Sequence, residues 1–276
     1  MRIRNPRRSV LTGAVAALGV CSVVLAFIAP GVEETKVDLN DGGVWVTNAK
    51  RGIVAHVNVP ARLMDAGLHA ASSAFDVFQN GEQVQLSDQA ANTLSPIDVT
   101  TATLTSAVDY RGMTTDVRGG TIAVTDAPNG KVWVQQADHP APINADDADA
   151  SISDVPGAIT TVDSEGNVHA VSAEAGRVTS LLKRRALTDT KTTPLTGIGA
   201  TDYLQIAAVG TDVVVWDQDT STLYLPGGKT QRIDGERVVL QDTGPKTNEV
   251  LLSSPDALIR VPIGGGSPTT VPAPAP

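Results

Sequence analysis

A chain of 276 residues is long enough for one large domain or two small ones. Hydrophobic residues make up 41%, but aromatics only 3%, beside 25 glycines and 17 prolines, a balance that favours many short strands and turns over long helices. The net charge of −9 argues against a nucleic-acid partner, and the one cysteine, Cys21, excludes an intramolecular disulfide and a cysteine-built zinc site.

Residues 1–8 carry Arg2, Arg4, Arg7 and Arg8 and read as a cytoplasmic tail. Within 9–30, Val10 to Ala29 is an uncharged run of 20 residues, about the length that crosses a ~30 Å hydrocarbon core as one helix. Arginines before it and Glu33 and Glu34 after it predict a single-pass plasma-membrane anchor with a cytoplasmic N-terminus and an extracytoplasmic body. A cleaved signal peptide is the alternative, although Phe27 and Pro30 suit a cut after Ala29 poorly. A lipoprotein cut before Cys21 ranks lower, because Val20 is large for that position and Val23 to Ala29 would remain as an apolar stub. All three readings export the body. Residues 31–42 then form a juxtamembrane linker.

From residue 43 onward one pattern recurs: a β-rich run, a polar residue opening a turn, and a second β-rich run. The paired runs begin at Val44 and Ile53, Val84 and Thr93, Ile122 and Val132, Ile159 and Val168, Val213 and Thr222, and Val250 and Leu258. Their turn-opening residues are Asn48, Asp88, Asp126, Asp163, Asp217 and Ser254, spaced by 40, 38, 37, 54 and 37 residues. Short polar side chains suit that place because they bond the turn backbone. A hairpin cannot bury both faces alone, so a period of roughly 40 residues implies stacked neighbours. Radial stacking makes an all-β β-propeller of about six or seven blades over 43–263, preceded by the single transmembrane helix. The longer gap, holding Lys183-Arg184-Arg185, reads as a loop insertion or a degraded element. Tandem Ig-like modules are the rival, but they need about seven strands per ~100 residues. Residues 264–276, rich in Gly and Pro, read as a C-terminal linker or tail.

Val44-Trp45-Val46-Thr47-Asn48 followed by Ile53-Val54-Ala55-His56-Val57 resembles the YVTN-type propeller repeat, with Trp45 in place of its tyrosine. Together with the anchor and the Asp41-Gly42-Gly43 opening, it resembles the N-terminal part of large actinobacterial surface proteins. In those proteins an anchor and a propeller-like region precede Ig-like or fibronectin type III modules. The resemblance implies architecture and says little about chemistry.

Isolated motifs supply no complete catalytic or cofactor site. Gly228-Lys229-Thr230 lacks the first glycine of a phosphate loop, since Leu223 stands there, and no helical pattern follows. Gly197-Ile198-Gly199 meets Asp202 where a dinucleotide fingerprint needs glycine. His56, His69, His139 and His169 are far apart, with His56 and His169 inside strand runs. Asn144 to Asp149 is the one dense acidic patch, with too few spaced oxygens for a calcium loop. Lys183-Arg184-Arg185 reads as a solvated loop, and Trp45, Trp133 and Trp216 as residues buried between blades.

These features predict a membrane-tethered, non-enzymatic binding or scaffold module at the cell surface, without cofactor or metal, whose partner is a protein or an envelope polysaccharide. Two alternatives stand beside it: an exported propeller enzyme acting on glycans or small molecules, and a truncated remnant of a larger fibronectin type III protein.

Overall fold

The computed structural model describes residues 43–273 except 82, 147, 148, 185 and 186. The expected tail, anchor and linker over 1–42, including Cys21, lie outside the described residues. Among the described residues no helix is long and apolar enough to cross a membrane.

The described chain is all-β and forms six antiparallel sheets in sequence order. Sheet 1 holds β1 (Gly43–Asn48), β2 (Ile53–Asn58) and β3 (Leu63–His69). In sheet 2, β4 (Phe75–Asn80), β5 (Gln83–Asp88), β6 (Thr93–Asp98) and β7 (Thr103–Leu104) follow, with β8 (Val108–Asp109) also paired to β6. Sheet 3 holds β9 (Thr114–Arg118), β10 (Thr121–Asp126) and β11 (Lys131–Gln136). Next comes sheet 4 with β12 (Ile159–Val162), β13 (Val168–Ser172), β14 (Arg177–Arg184) and β15 (Leu187–Pro194). Sheet 5 comprises β16 (Leu204–Val209), β17 (Asp212–Asp217), β18 (Thr222–Leu225) and β19 (Lys229–Arg232). Sheet 6 comprises β20 (Val239–Leu240), β21 (Glu249–Ser253), β22 (Ala257–Pro262) and β23 (Thr269–Pro272). Each sheet is one blade of a β-propeller.

All six expected hairpins form, and their turn-opening residues do the bonding their chemistry suggests. Asp88 Oδ1 accepts from the Ala90 and Ala91 N–H groups at 3.1 Å, and Asp217 Oδ1 from Asp219 and Thr220 at 3.0 and 3.2 Å. Asp126 takes the Asn129 N–H at 3.2 Å, Asn48 that of Arg51 at 3.2 Å, and Ser254 that of Ala257 at 3.1 Å. Asp88, Asp126 and Asp217 are themselves buried, so these bonds stand where water does not reach.

Two expectations need correcting. The 54-residue gap is not an insertion: in sheets 2, 3, 5 and 6 the turn-opening residue follows the second strand, whereas Asp163 follows the first strand of sheet 4. The motif has moved one strand inward, and Lys183 and Arg184 end β14 at the turn of the outer hairpin of that blade. Within the expected tail, Thr269–Pro272 runs as the outer strand of sheet 6, paired residue for residue with Ala257–Arg260.

Apolar clusters join successive blades. Trp45 and Val54 meet Phe75, Val84 and Leu86 between blades 1 and 2; Leu94 and Tyr110 meet Ile122 and Val124 between 2 and 3. Val132 meets Val162 and Val168 between 3 and 4, Val178 meets Leu204 and Tyr224 between 4 and 5, and Trp216 meets Val250 and Ile259 between 5 and 6.

The turns of blades 3 and 4 touch where both are glycine. Gly166, at φ +79°, has no room for a side chain: a Cβ would stand 2.5 Å from Thr121 Oγ1 and 2.7 Å from the Gly119 carbonyl. Gly176 also has positive φ (+61°) but faces open space. Both Gly→Ala variants carry the left-handed backbone penalty of about 1–2 kcal/mol. Gly166→Ala adds the clash, so it is expected to lower the urea midpoint clearly more than Gly176→Ala; equal midpoints would show that this approach is not tight.

Candidate functional site

The motifs singled out in the sequence settle into structural places. Gly228 ends a 3-10 turn, Pro226–Gly228, and Lys229 and Thr230 begin β19, so no helix follows the glycine. Asp202 Oδ2 accepts the Gly199 N–H at 2.5 Å, which makes Gly197–Asp202 a self-bonded turn. The histidines stay apart: His56 Nδ1 lies 2.6 Å from Asp65 and its ring 5.3 Å from that of Trp45, His139 pairs with Asp138 at 3.0 Å, and His69 is exposed. Of the acidic patch, Asp147 and Ala148 lie outside the described residues; among those described, no group of His, Cys, Asp and Glu is placed to hold a metal. Trp45, Trp133 and Trp216 are 7, 5 and 1% exposed, which removes them from any surface groove.

Polar side chains instead stitch the inner strands together. Gln79 of blade 2 accepts the Trp45 N–H at 3.0 Å and donates to the Gly43 carbonyl at 3.2 Å. Asp116 on β9 accepts the Val162 N–H of blade 4 at 2.7 Å. Thr243 Oγ1 accepts the Ala208 N–H of blade 5 at 2.9 Å and sits 2.6 Å from Thr161 Oγ1 of blade 4, so one hydroxyl ties three blades.

Blade 4 carries a relay that the spacing of its members gave no sign of. Asp163 Oδ2 lies 3.2 Å from His169 Nε2, and Ser180 Oγ lies 2.8 Å from His169 Nδ1. Asp163 also accepts the backbone N–H groups of Glu165 and Asn167 at 2.8 and 2.9 Å and the Asn167 amide at 2.8 Å. Burial works to raise the pKa of this carboxyl, yet the bonds from His169, Asn167 and the turn backbone outweigh it and hold the group below the usual carboxylate range. The residue types match a nucleophilic relay, but the ring presents Nδ1 to the serine, the reverse of the serine-protease arrangement. Asp163 is fully buried and His169 2% exposed.

His169 and Ser180 form part of the wall of a cleft of about 550 Å³ between blades 4 and 5, which falls within the ~300–1,000 Å³ typical of ligand pockets. Lys191 and Thr193 of β15, and Asp212, Tyr224 and Lys229 of blade 5, line it together with apolar residues such as Val213. The Tyr224 hydroxyl donates to the Thr196 carbonyl at 3.0 Å, which fixes the floor. A second, smaller cavity lies between blades 2 and 3 around Gln85 and Arg118. Sequence reasoning pointed to none of Ser180, Lys191, Gln85 or Arg118, because their partners come from other strands at no fixed spacing.

No family model matches the chain, and no curated relative matches it. Solved structures do. A complex of KlAtg21 with the coiled-coil of AgAtg16 is 12% identical, with a TM-score of 0.59 over 80% of this chain and 76% of that one. Kluyveromyces lactis Hsv2 is 10% identical, with a TM-score of 0.52 over 80% and 74%. The dihydro-heme d1 dehydrogenase NirN is 10% identical at 0.58 over 91% of this chain and 57% of its own length. At these identities the likeness is one of fold, and it supports the β-propeller.

The buried carboxylates give opposite pH slopes. Asp163, held low, contributes stability that is full above the unfolded pKa of about 4 and is lost as pH falls through its folded value. For Asp116, burial raises the pKa despite the Val162 N–H and the Arg118 charge, so ionisation opposes folding as pH rises through about 4 and beyond. Melting curves from pH 3 to 7 should show Asp163→Asn losing stability mainly at neutral pH. Asp116→Asn, whose amide oxygen still accepts from Val162, should gain there. Parallel shifts at every pH would refute both assignments.

Proposed function

We propose that the chain is a membrane-tethered, extracytoplasmic β-propeller that acts as a non-enzymatic binding module at the cell surface, for a protein or an envelope polysaccharide. The observation that carries this reading is the division of labour in the cleft between blades 4 and 5. Among its acid–base groups, which include Asp212 and Tyr224, His169 has both ring nitrogens engaged, and Asp163 behind it also holds the turn. What the cleft offers to a ligand is Lys191, threonine hydroxyls and the Asp212 carboxylate beside an apolar wall. The export half rests on the uncharged Val10–Ala29 run behind four arginines.

Because Cys21 is the only cysteine, Ser267→Cys adds one reporter thiol on an exposed residue. An impermeant maleimide should label it in intact cells; labelling only after lysis would overturn the export. Full-length protein in detergent should be retained on immobilised envelope polysaccharide or surface protein without consuming it. Lys191→Glu and Lys229→Glu together should weaken that retention about tenfold or more.

A second reading, an exported enzyme acting on glycans or small molecules, is favoured by one observation: Ser180 and His169 reach the cleft wall. A fluorophosphonate that labels the parent and spares Ser180→Ala would favour it and sink the non-enzymatic reading.

A further inference from the structure

The open pocket between blades 2 and 3 has a volume of about 230 Å³, and two residues of its wall carry a buried polar atom with no protein partner, the Gln85 carbonyl oxygen Oε1 and the Arg118 Nε. Gln85 is 3% exposed, and its amide nitrogen is fixed by donation to the Ala137 carbonyl, which leaves Oε1 directed elsewhere. Arg118 makes no ion pair among the described residues. Asp116, on the same strand, is near enough to feel the Arg118 charge but accepts its hydrogen bond from the Val162 N–H at 2.7 Å. A buried acceptor or N–H edge that meets no partner opposes folding, so a ligand that pairs with both is favoured. An amide oxygen and a guanidinium N–H without protein partners thus belong to the wall of one pocket.

The two groups specify complementary chemistry. Arg118 takes a carboxylate, and Gln85 Oε1 takes a hydroxyl. A single guanidinium in a protein of net charge −9 suits a monoanion better than a phosphate or sulfate dianion. Phe78 is packed on the Leu94–Tyr110 cluster and gives one apolar wall, while Asn80 and Gln83, both exposed, bring amides to the rim. The volume is below that of a drug-sized pocket and suits one small unit. We infer that this cavity binds a hydroxylated carboxylic acid of the sugar-acid class, such as a hexuronate, free or as a unit of an acidic glycan. This ligand assignment rests on the binding-module reading, and it gives that module a second site distinct from the blade 4–5 cleft. An acidic peptide would meet Arg118 but would not supply hydroxyls to the amides.

Calorimetry on the full chain in detergent tests it with glucuronate, galacturonate, glucose, a polyuronate and a glutamate-rich peptide. Glucuronate or galacturonate should bind at about millimolar or tighter, and glucose should not bind. Arg118→Met should weaken binding about tenfold and Gln85→Met several-fold. Each variant also loses a structural contact, the Gln85 bond to the Ala137 carbonyl or the Arg118 charge near Asp116, so the melting temperature of the free protein does not test the site. Saturating uronate should raise the melting temperature of the parent and not that of Arg118→Met, and equal rises would count against the site. Binding of the monomer with no gain for the polyuronate assigns a free sugar acid, whereas tighter polyuronate binding assigns a glycan; either supports the class. Equal binding of glucose, stronger binding of the peptide, unchanged affinity in Arg118→Met, or no uronate binding would overturn it. If uronate fails while retention on the surface partner persists, the ligand assignment falls and the binding-module reading stands.

Discussion

Everything in this fold depends on apolar contact between the faces of successive blades. A single sheet of three or four short strands cannot exclude water from both faces, and here each interior blade has a neighbour on either side. This is why β10 is buried at all six positions, Thr121 to Asp126, and why Val54, Ile122, Val162 and Val214 are wholly inaccessible. At about 1.5–3 kcal/mol for each buried Val, Leu or Ile side chain, these seams dominate the favourable terms. The terminal blades show the converse. Trp45 faces blade 2, so Val44 and Val46, on the opposite side of the pleat, remain 42 and 43% exposed, and Val239 of blade 6 is 49% exposed. None of the buried clusters among the described residues joins blade 1 to blade 6.

Such packing leaves polar backbone at every turn to be satisfied inside the structure, and the turn-opening carboxylates do this. Asp163 shows how a turn device acquires a longer reach. The same carboxylate that holds Glu165 and Asn167 also holds His169, and through it Ser180 at the cleft between blades 4 and 5. A hydrogen-bonded ring locked in this way stiffens the cleft wall.

The seams also decide where cavities form. Where large side chains interdigitate, as with Trp216 against Val250 and Ile259, the blades close on each other. Where the wall is made of amides and an arginine, as between blades 2 and 3, or of β15 and the Pro226–Gly228 turn, as between blades 4 and 5, space remains. Open space on this scaffold is therefore a property of imperfect seams.

The sequence alone was enough to determine the hairpins. Asp or Asn between two β-rich runs marks a turn through local bonding, and the period of roughly 40 residues implied stacking, because short hairpins need neighbours. Local chemistry also excluded a phosphate loop at Gly228-Lys229-Thr230 and identified the three tryptophans as core. It did not reveal that Asp163, like Asn48, opens a turn one strand earlier than Asp88, Asp126, Asp217 and Ser254, since that depends on which strand starts the sheet. Nor did it reveal that Thr269–Pro272 completes a blade despite its linker-like composition, because outer strands bury little and carry little apolar signal. Only the tertiary structure brought Ser180 to His169, Asp116 to Val162, and Gln85 and Arg118 to one cavity. Those contacts cross strands and blades at separations set by packing, and no spacing in the chain encodes them.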